Sequence, residues 1–227
     1  MRRKWVLFAL RFSMPYHPDL ALYLVIGPTD CGGRDLLWVV DQALKGGVSC
    51  LQFRNKNEHV DLSQVIGMQH LSQKYGVPFV VNDSLSLALA IKGAGIHIGQ
   101  DDCHPLEIRK QMGPQAWIGL SVGSQKEKQR LDEAFDAVDY VGVGPAYTTS
   151  SKHDAGVVLD SAELKQLGAS LGKPWVAIGG ICESNVPAVM ATGAHGIAVI
   201  SAIAAAPDPR QAAETLRDTV ERHKTSL

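Results

Sequence analysis

Nowhere in the 227 residues does an apolar run approach the ~18 that a membrane-spanning helix requires, so no transmembrane segment is expected. Charge of one sign is also lacking. Twenty-two Lys and Arg against 23 Asp and Glu leave a net charge of −1. That gives neither a general basic face for nucleic acid nor an acidic solvating tail. Cysteine is scarce, and the four present (Cys31, Cys50, Cys103, Cys182) include no C-x-x-C pair. Such spacing favours free thiols in a reducing compartment, the cytoplasm, over a disulfide frame or a zinc site. Arg2-Arg3-Lys4 followed by Trp5–Leu10 imitates a secretion signal, but Arg11 ends the run after roughly six residues, where about seven to fifteen are needed. A small-residue cleavage site is missing too. Residues 1–19 therefore read as a loosely ordered extension, with Met14 an alternative start, and residues 20–227 as one domain.

The stretch that organises this domain is Val77–Asp102, VPFVVNDSLSLALAIKGAGIHIGQDD. Pro78–Val81 is a short β-branched apolar run, the pattern of a strand buried on both faces. Asn82-Asp83-Ser84 breaks it with turn and helix-cap chemistry. Leu85–Ile91 reads as a short apolar helix closed by Gly93, and Gly95–Ile98 as the next strand. Polar groups thus follow two successive strands: Asn82 and Asp83, then Gln100, Asp101 and Asp102. In a parallel α/β fold those strand ends share the face where ligands bind. Two carboxylates brought there from separate strands suggest a hard divalent cation such as Mg²⁺. Of the adjacent Asp101 and Asp102, one is the expected ligand.

The same alternation runs from Leu20 onward with no linker. Strands are expected at Leu22–Ile26, Cys50–Arg54, Pro78–Val81, Gly95–Ile98, Trp117–Leu120, Tyr140–Val143, Trp175–Ile178 and Gly196–Val199. Helices fall at Asp35–Lys45, Asp61–Tyr75, Pro105–Met112, Gln125–Phe135, Ser161–Leu171, Asn185–Ala191 and Pro209–His223. Glycine punctuates several of their ends, and proline opens two of them. Eight strands alternating with helices in this length predict a single (β/α)₈ TIM barrel. A doubly wound open sheet is the alternative.

Each strand end can be read for chemistry. After the second strand, alternation puts Gln52 and Arg54 on one side, and Lys56 continues the set into the loop. Taken alone an Arg and a Lys are solvated charges; at the ligand-binding end of a barrel they suit an anion, Arg as a bidentate phosphate partner. Strand five ends at Ser121. Strand six runs into GPAYTTSSKH, a loop with Thr149, Ser151 and Lys152. Strand seven ends in Gly179-Gly180, and strand eight in Ser201 opening a short helix. The last two ends form the usual phosphate cup of a barrel.

With these residues in view, the chain from about Ala21 to His223 resembles the thiamine phosphate synthase family. The resemblance rests on GGVSCLQFRNK, VVNDSLSLALA, GIHIGQDD, IGLSVGS, DYVGVGPAYTTSSK, and AIGGI with GIAVISAI, in that order along the chain. It implies a transferase that joins hydroxymethylpyrimidine pyrophosphate to thiazole phosphate and releases pyrophosphate. It further implies Mg²⁺ on Asp83 and Asp102, and the pyrophosphate on Arg54, Lys56, Asn82 and Lys152, with Ser121 beside them. Gln52 would face the pyrimidine. Thr149, Ser151, Gly180, Ile200 and Ser201 would take the thiazole phosphate. The implied partners are these small molecules, not nucleic acid or membrane; a homo-oligomer stays open.

Two departures from the family pattern stand out. Gly156 follows Lys152 after only four positions, where the family usually carries a longer, proline-containing loop. Position 123 is Gly, where the family often has His. The competing readings are a thiazole tautomerase-like relative, which would use a His in the strand-five region, and a non-catalytic phosphate-binding barrel.

Overall fold

The computed structural model describes residues 18–55, 60–149 and 156–224. Short apolar stretches form eight parallel strands: β1 (Leu22–Ile26), β2 (Cys50–Phe53), β3 (Phe79–Asn82), β4 (Gly95–Ile98), β5 (Ile118–Val122), β6 (Tyr140–Val143), β7 (Trp175–Ile178) and β8 (Gly196–Val199). Each pairs with the next in sequence. β8 closes on β1 through Leu22↔Ile197 and Leu24↔Val199, so the sheet has no free edge. The expected (β/α)₈ barrel is therefore what the sequence forms.

Helices α1 (Leu36–Lys45), α2 (Leu62–Tyr75), α3 (Leu85–Ala90), α4 (Pro105–Met112), α5 (Gln125–Glu133), α6 (Ser161–Ser170), α7 (Val186–Met190), α8 (Ser201–Ala204) and α9 (Pro209–His223) surround the strands. Their starts follow from capping chemistry. Asp35, Asp61, Ser84, Ser124, Asp160 and Asp208 each accept a hydrogen bond from a first-turn N–H. On α1 the buried residues Leu36, Val39, Val40, Ala43 and Leu44 recur at helical spacing. Each large one contributes about 1.5–3 kcal/mol by leaving water.

Strand alternation sorts the interior into two cores. Leu22, Leu24, Ile26, Leu51, Phe53, Ile96, Ile98 and Leu120 point outward into the helix layer. Tyr23, Val25, Cys50, Val80, Tyr140, Val176 and Ala198 pack inside the barrel. Several boundaries differ from expectation, and β2 ends at Phe53, one residue before Arg54. β3 begins at Phe79, because Pro78 has no N–H to give the ladder, and it takes in Asn82, which pairs with His97. β5 covers Ile118–Val122, so Ser121 lies within the strand. A 3₁₀ turn at Pro28–Cys31 was not foreseen.

Candidate active site

The carboxyl ends of the strands surround a cavity of about 1270 Å³. Its floor is divided. Successive inward positions on β2, β3, β4 and β5 carry Gln52, Asn82, His97 and Ser121, so that side is polar. Across from them, Gly142, Val176, Ile178, Ala198 and Val25 make a small-residue and apolar side. A ligand with one charged and one hydrocarbon-rich part is suited to such a floor.

At the end of β3 the chain turns sharply. Asp83 has φ 61°, the one left-handed non-glycine residue among those described. Its N–H donates to the His97 carbonyl at 2.8 Å, and the Ser84 N–H donates to Asn82 at 2.7 Å. Asp is among the few residues that tolerate this conformation, and strain of this kind concentrates at functional sites. The turn brings the Asp83 carboxylate to the cavity that Asn82 also lines.

The loop after β4 is held from two sides. Asp102 Oδ2 accepts the Gly99 N–H at 2.6 Å, and Gln100 Nε2 donates to the Ser121 carbonyl at 2.6 Å. Arg130 on α5 donates to the carbonyls of Gln100, Asp102 and Cys103. Asp83 and Asp102 therefore reach one cavity from separate strands on ordered backbone.

Gly180, at φ 61°, fits where a Cβ would lie 2.5 Å from the Thr148 carbonyl oxygen. Asn185 fastens this turn, donating to the Gly180 carbonyl at 3.0 Å and accepting the Cys182 N–H at 2.9 Å. Ile200 caps α8. The first N–H groups of any helix, here those of Ser201 and Ala202, have no partner within it. Gly180, Ile200, Ser201 and Thr149 all border the cavity.

Beneath the polar side runs a chain of hydrogen bonds that the sequence reading missed. Gln52 Nε2 donates to the Tyr23 hydroxyl at 2.8 Å, and the Tyr23 and Tyr140 hydroxyls are 2.8 Å apart. His97 Nδ1 lies 3.0 Å from the Tyr140 hydroxyl, and His97 Nε2 lies 2.9 Å from Ser121 Oγ. Burial pushes the Tyr23 and Tyr140 phenols, and the Cys50 thiol beside Tyr23, well above their usual ranges. They stay protonated. Gly119 makes room for the chain, since a Cβ there would come 2.2 Å from Tyr140 Cζ and 2.4 Å from His97 Nδ1. The available clue was positional: Tyr23 and Tyr140 occupy inward alternation sites, and Gly119 pairs with both His97 and Tyr140.

Gln52, Arg54, Asn82, Asp83, Asp102 and Ser121 line this cavity together with Thr149, Gly180, Ile200 and Ser201. Lys56, Ser151 and Lys152 lie outside the described residues. Of the described lining residues, Asp83, Asp101, Asp102 and Glu127 are carboxylates and Arg54 is the one guanidinium. Among the described residues no three His, Cys, Asp or Glu cluster as a closed metal cage. Mg²⁺ does not ask for one. It is held by one or two carboxylates, with waters and substrate phosphates completing its shell. Asp83 and Asp102, hard oxygen donors in a cavity wide enough for a phosphorylated ligand, suit that pattern.

At Gly123 a Cβ would lie 2.7 Å from the Gly144 carbonyl oxygen. The close approach of the β6 loop explains the glycine and leaves no space for a histidine there.

Comparison with known proteins fits this architecture. The TMP-TENI family, described as thiamine monophosphate synthase, matches residues 22–203. A thiamine-phosphate synthase of Xanthobacter autotrophicus is 40% identical over 209 residues, covering 91% of this chain and 98% of the relative. Thiamine-phosphate synthase 1 of Streptococcus pneumoniae is 40% identical over 214 residues, covering 91% and 100%. The solved structure of a thiamine phosphate pyrophosphorylase from Pyrococcus furiosus superposes with a TM-score of 0.80 at 33% identity, covering 91% of this chain and 98% of that one. The chain belongs to the thiamine monophosphate synthase family.

Proposed function

We propose that this chain joins 4-amino-2-methyl-5-hydroxymethylpyrimidine pyrophosphate to 4-methyl-5-(2-phosphoethyl)thiazole, giving thiamine phosphate and pyrophosphate. One observation carries the assignment of the site. Every described residue that the family pattern marks out, from Gln52 to Ser201, borders the same cavity at the strand ends. Asp83 and Asp102 would hold Mg²⁺, which when bound offsets the charge of the pyrophosphate.

Arg54, Asn82 and Ser121, with Lys56 and Lys152, bind the pyrophosphate and stabilise it as the pyrimidine CH₂–O bond breaks and both electrons leave with oxygen. Gln52 orients the pyrimidine, whose amino group spreads the positive charge left on the methylene carbon. Gly180, Ile200 and Ser201 hold the thiazole phosphate through backbone N–H groups, with Thr149 and Ser151 beside them. The thiazole nitrogen then attacks the methylene with its lone pair. That nitrogen carries no proton, so no general base is needed. The substitution is dissociative, and the barrel walls serve to keep water from the methylene cation.

Residues 20–227 form the catalytic domain in this reading, and residues 1–17 of the expected extension lie outside the described residues. The four unpaired thiols favour a cytoplasmic setting. Among the described residues, no helix is long and apolar enough to cross a membrane. A tautomerase-like relative would use a histidine in the strand-five region, where this chain has Gly123. The test is formation of thiamine phosphate from the two substrates with Mg²⁺. A protein that is folded yet forms no product with both present would overturn the assignment.

A further inference from the structure

We propose that Gln52, Tyr23, Tyr140, His97 and Ser121 form one polarised hydrogen-bond chain that sets the donor and acceptor faces of both its ends at once. This deepens the synthase reading and rests on it for the identity of the two ligand groups. The geometry supplies four consecutive contacts of 2.8, 2.8, 3.0 and 2.9 Å across β2, β1, β6, β4 and β5.

Donor arithmetic gives the direction. The amide nitrogen of Gln52 can only donate, so the Tyr23 oxygen accepts. Tyr23 has one proton, and it passes to Tyr140; the protonated Cys50 thiol nearby is a weak acceptor by comparison. Tyr140 passes its own proton to His97 Nδ1. The ring is then the neutral Nε2–H tautomer and donates to Ser121 Oγ. The serine proton is left for the cavity, where it meets the departing pyrophosphate. At the other end the Gln52 carbonyl oxygen is left for the amino group of the pyrimidine. Tyr23, Tyr140 and His97 are thus positioning residues.

With a neutral imidazole the chain has only one other unbroken state. Turning the Gln52 amide over reverses every bond and leaves Ser121 presenting lone pairs to the anion. A mixture of the two would set two donors or two acceptors face to face at about 3 Å, which a buried site disfavours. An amino group at Gln52 and an anion at Ser121 select the same direction. Recognition of the ring therefore holds the serine in the direction the leaving group needs, although the two residues do not touch.

The test uses the full-length chain labelled with ¹⁵N-histidine, with the His97 signals assigned by their loss in His97→Asn. Without substrates, wild type is expected to show His97 as the Nε2–H tautomer. Tyr23→Phe cuts the chain and Gln52→Leu removes its head. Either should produce a mixture with the Nδ1–H form. An Nδ1–H or doubly protonated ring in wild type would overturn the proposal, as would a tautomer unmoved by both variants. Tyr23→Phe alone decides the matter if Gln52→Leu does not fold. In steady-state kinetics, Tyr23→Phe should lower kcat about tenfold or more while leaving KM for the thiazole phosphate within about twofold. An unchanged kcat would also overturn the coupling. The tautomer is read without substrate, so failure of the chain and failure of the synthase reading are separable. A wild type with the expected tautomer but no thiamine phosphate formation would sink only the ligand assignment.

Discussion

Arg130 donates to the backbone carbonyl of Asp102 at 2.5 Å, so a helix after the fifth strand holds the backbone of an aspartate that follows the fourth. The same guanidinium reaches the carbonyls of Gln100 and Cys103. Its Nε is buried without a partner among the described residues, so the arginine is committed to shaping this loop. Arg130→Ala is expected to keep the fold, measured by circular dichroism, while raising the Mg²⁺ needed for half-maximal turnover. Loss of support behind a metal ligand typically costs 10–100-fold in affinity. Arg130→Lys should recover little, because an ammonium lacks the fork that spans several carbonyls. A normal Mg²⁺ titration for Arg130→Ala would separate the loop from the metal.

Asp83 separates charge from conformation. At φ 61° an alanine pays about 1–2 kcal/mol that a glycine does not. Asp83→Ala should therefore melt about 2–8 °C below Asp83→Gly. Both lose the carboxylate, so turnover at limiting Mg²⁺ should collapse equally in the two. Differential scanning calorimetry with a Mg²⁺ titration checks both halves. Full activity of Asp83→Gly would remove Asp83 from the metal.

Ser201→Asp places a carboxylate where the thiazole phosphate is proposed to sit. Like charges facing each other cost several kcal/mol. KM for the thiazole phosphate should rise at least tenfold, with KM for the pyrimidine pyrophosphate little changed. Equal losses for both substrates would point to general damage of the cup.

Lys152 lies outside the described residues, and the role proposed for it rests on the family pattern. If it stabilises charge on departing pyrophosphate, Lys152→Ala should lower kcat by about 10²–10³. A uniform binding loss would raise KM and spare kcat. Lys152→Arg should restore part of the rate. An alanine variant within about threefold of wild type would reduce Lys152 to a surface charge.

Much of this was legible in the sequence, for a physical reason. Strands such as Leu22–Ile26, Gly95–Ile98 and Tyr140–Val143 are short apolar runs bounded by turn residues, so composition alone marks them. The cavity-lining set was found because chemistry in a barrel sits where strands end. Boundaries were harder where apolar and polar residues meet. Trp117 precedes its strand, and Ser121 lies inside it. The helix expected to reach Phe135 stops at Glu133 and gives way to a 3₁₀ turn, Phe135–Ala137. The Tyr23–Tyr140–His97 chain was out of reach for a different reason. Its members come from three strands, and only the register of a closed sheet brings them together.

Gly119 shows what that register means over longer times. A single methyl group there would collide with both Tyr140 and His97. Positions 97, 119 and 140 are therefore not free to drift one at a time. An alanine at 119 becomes tolerable only in a lineage that has already shortened both the tyrosine and the histidine. A descendant that regrew either ring would first have to restore the glycine. Substitution at these three sites has a required order, and the barrel interior acts as a ratchet on its own history.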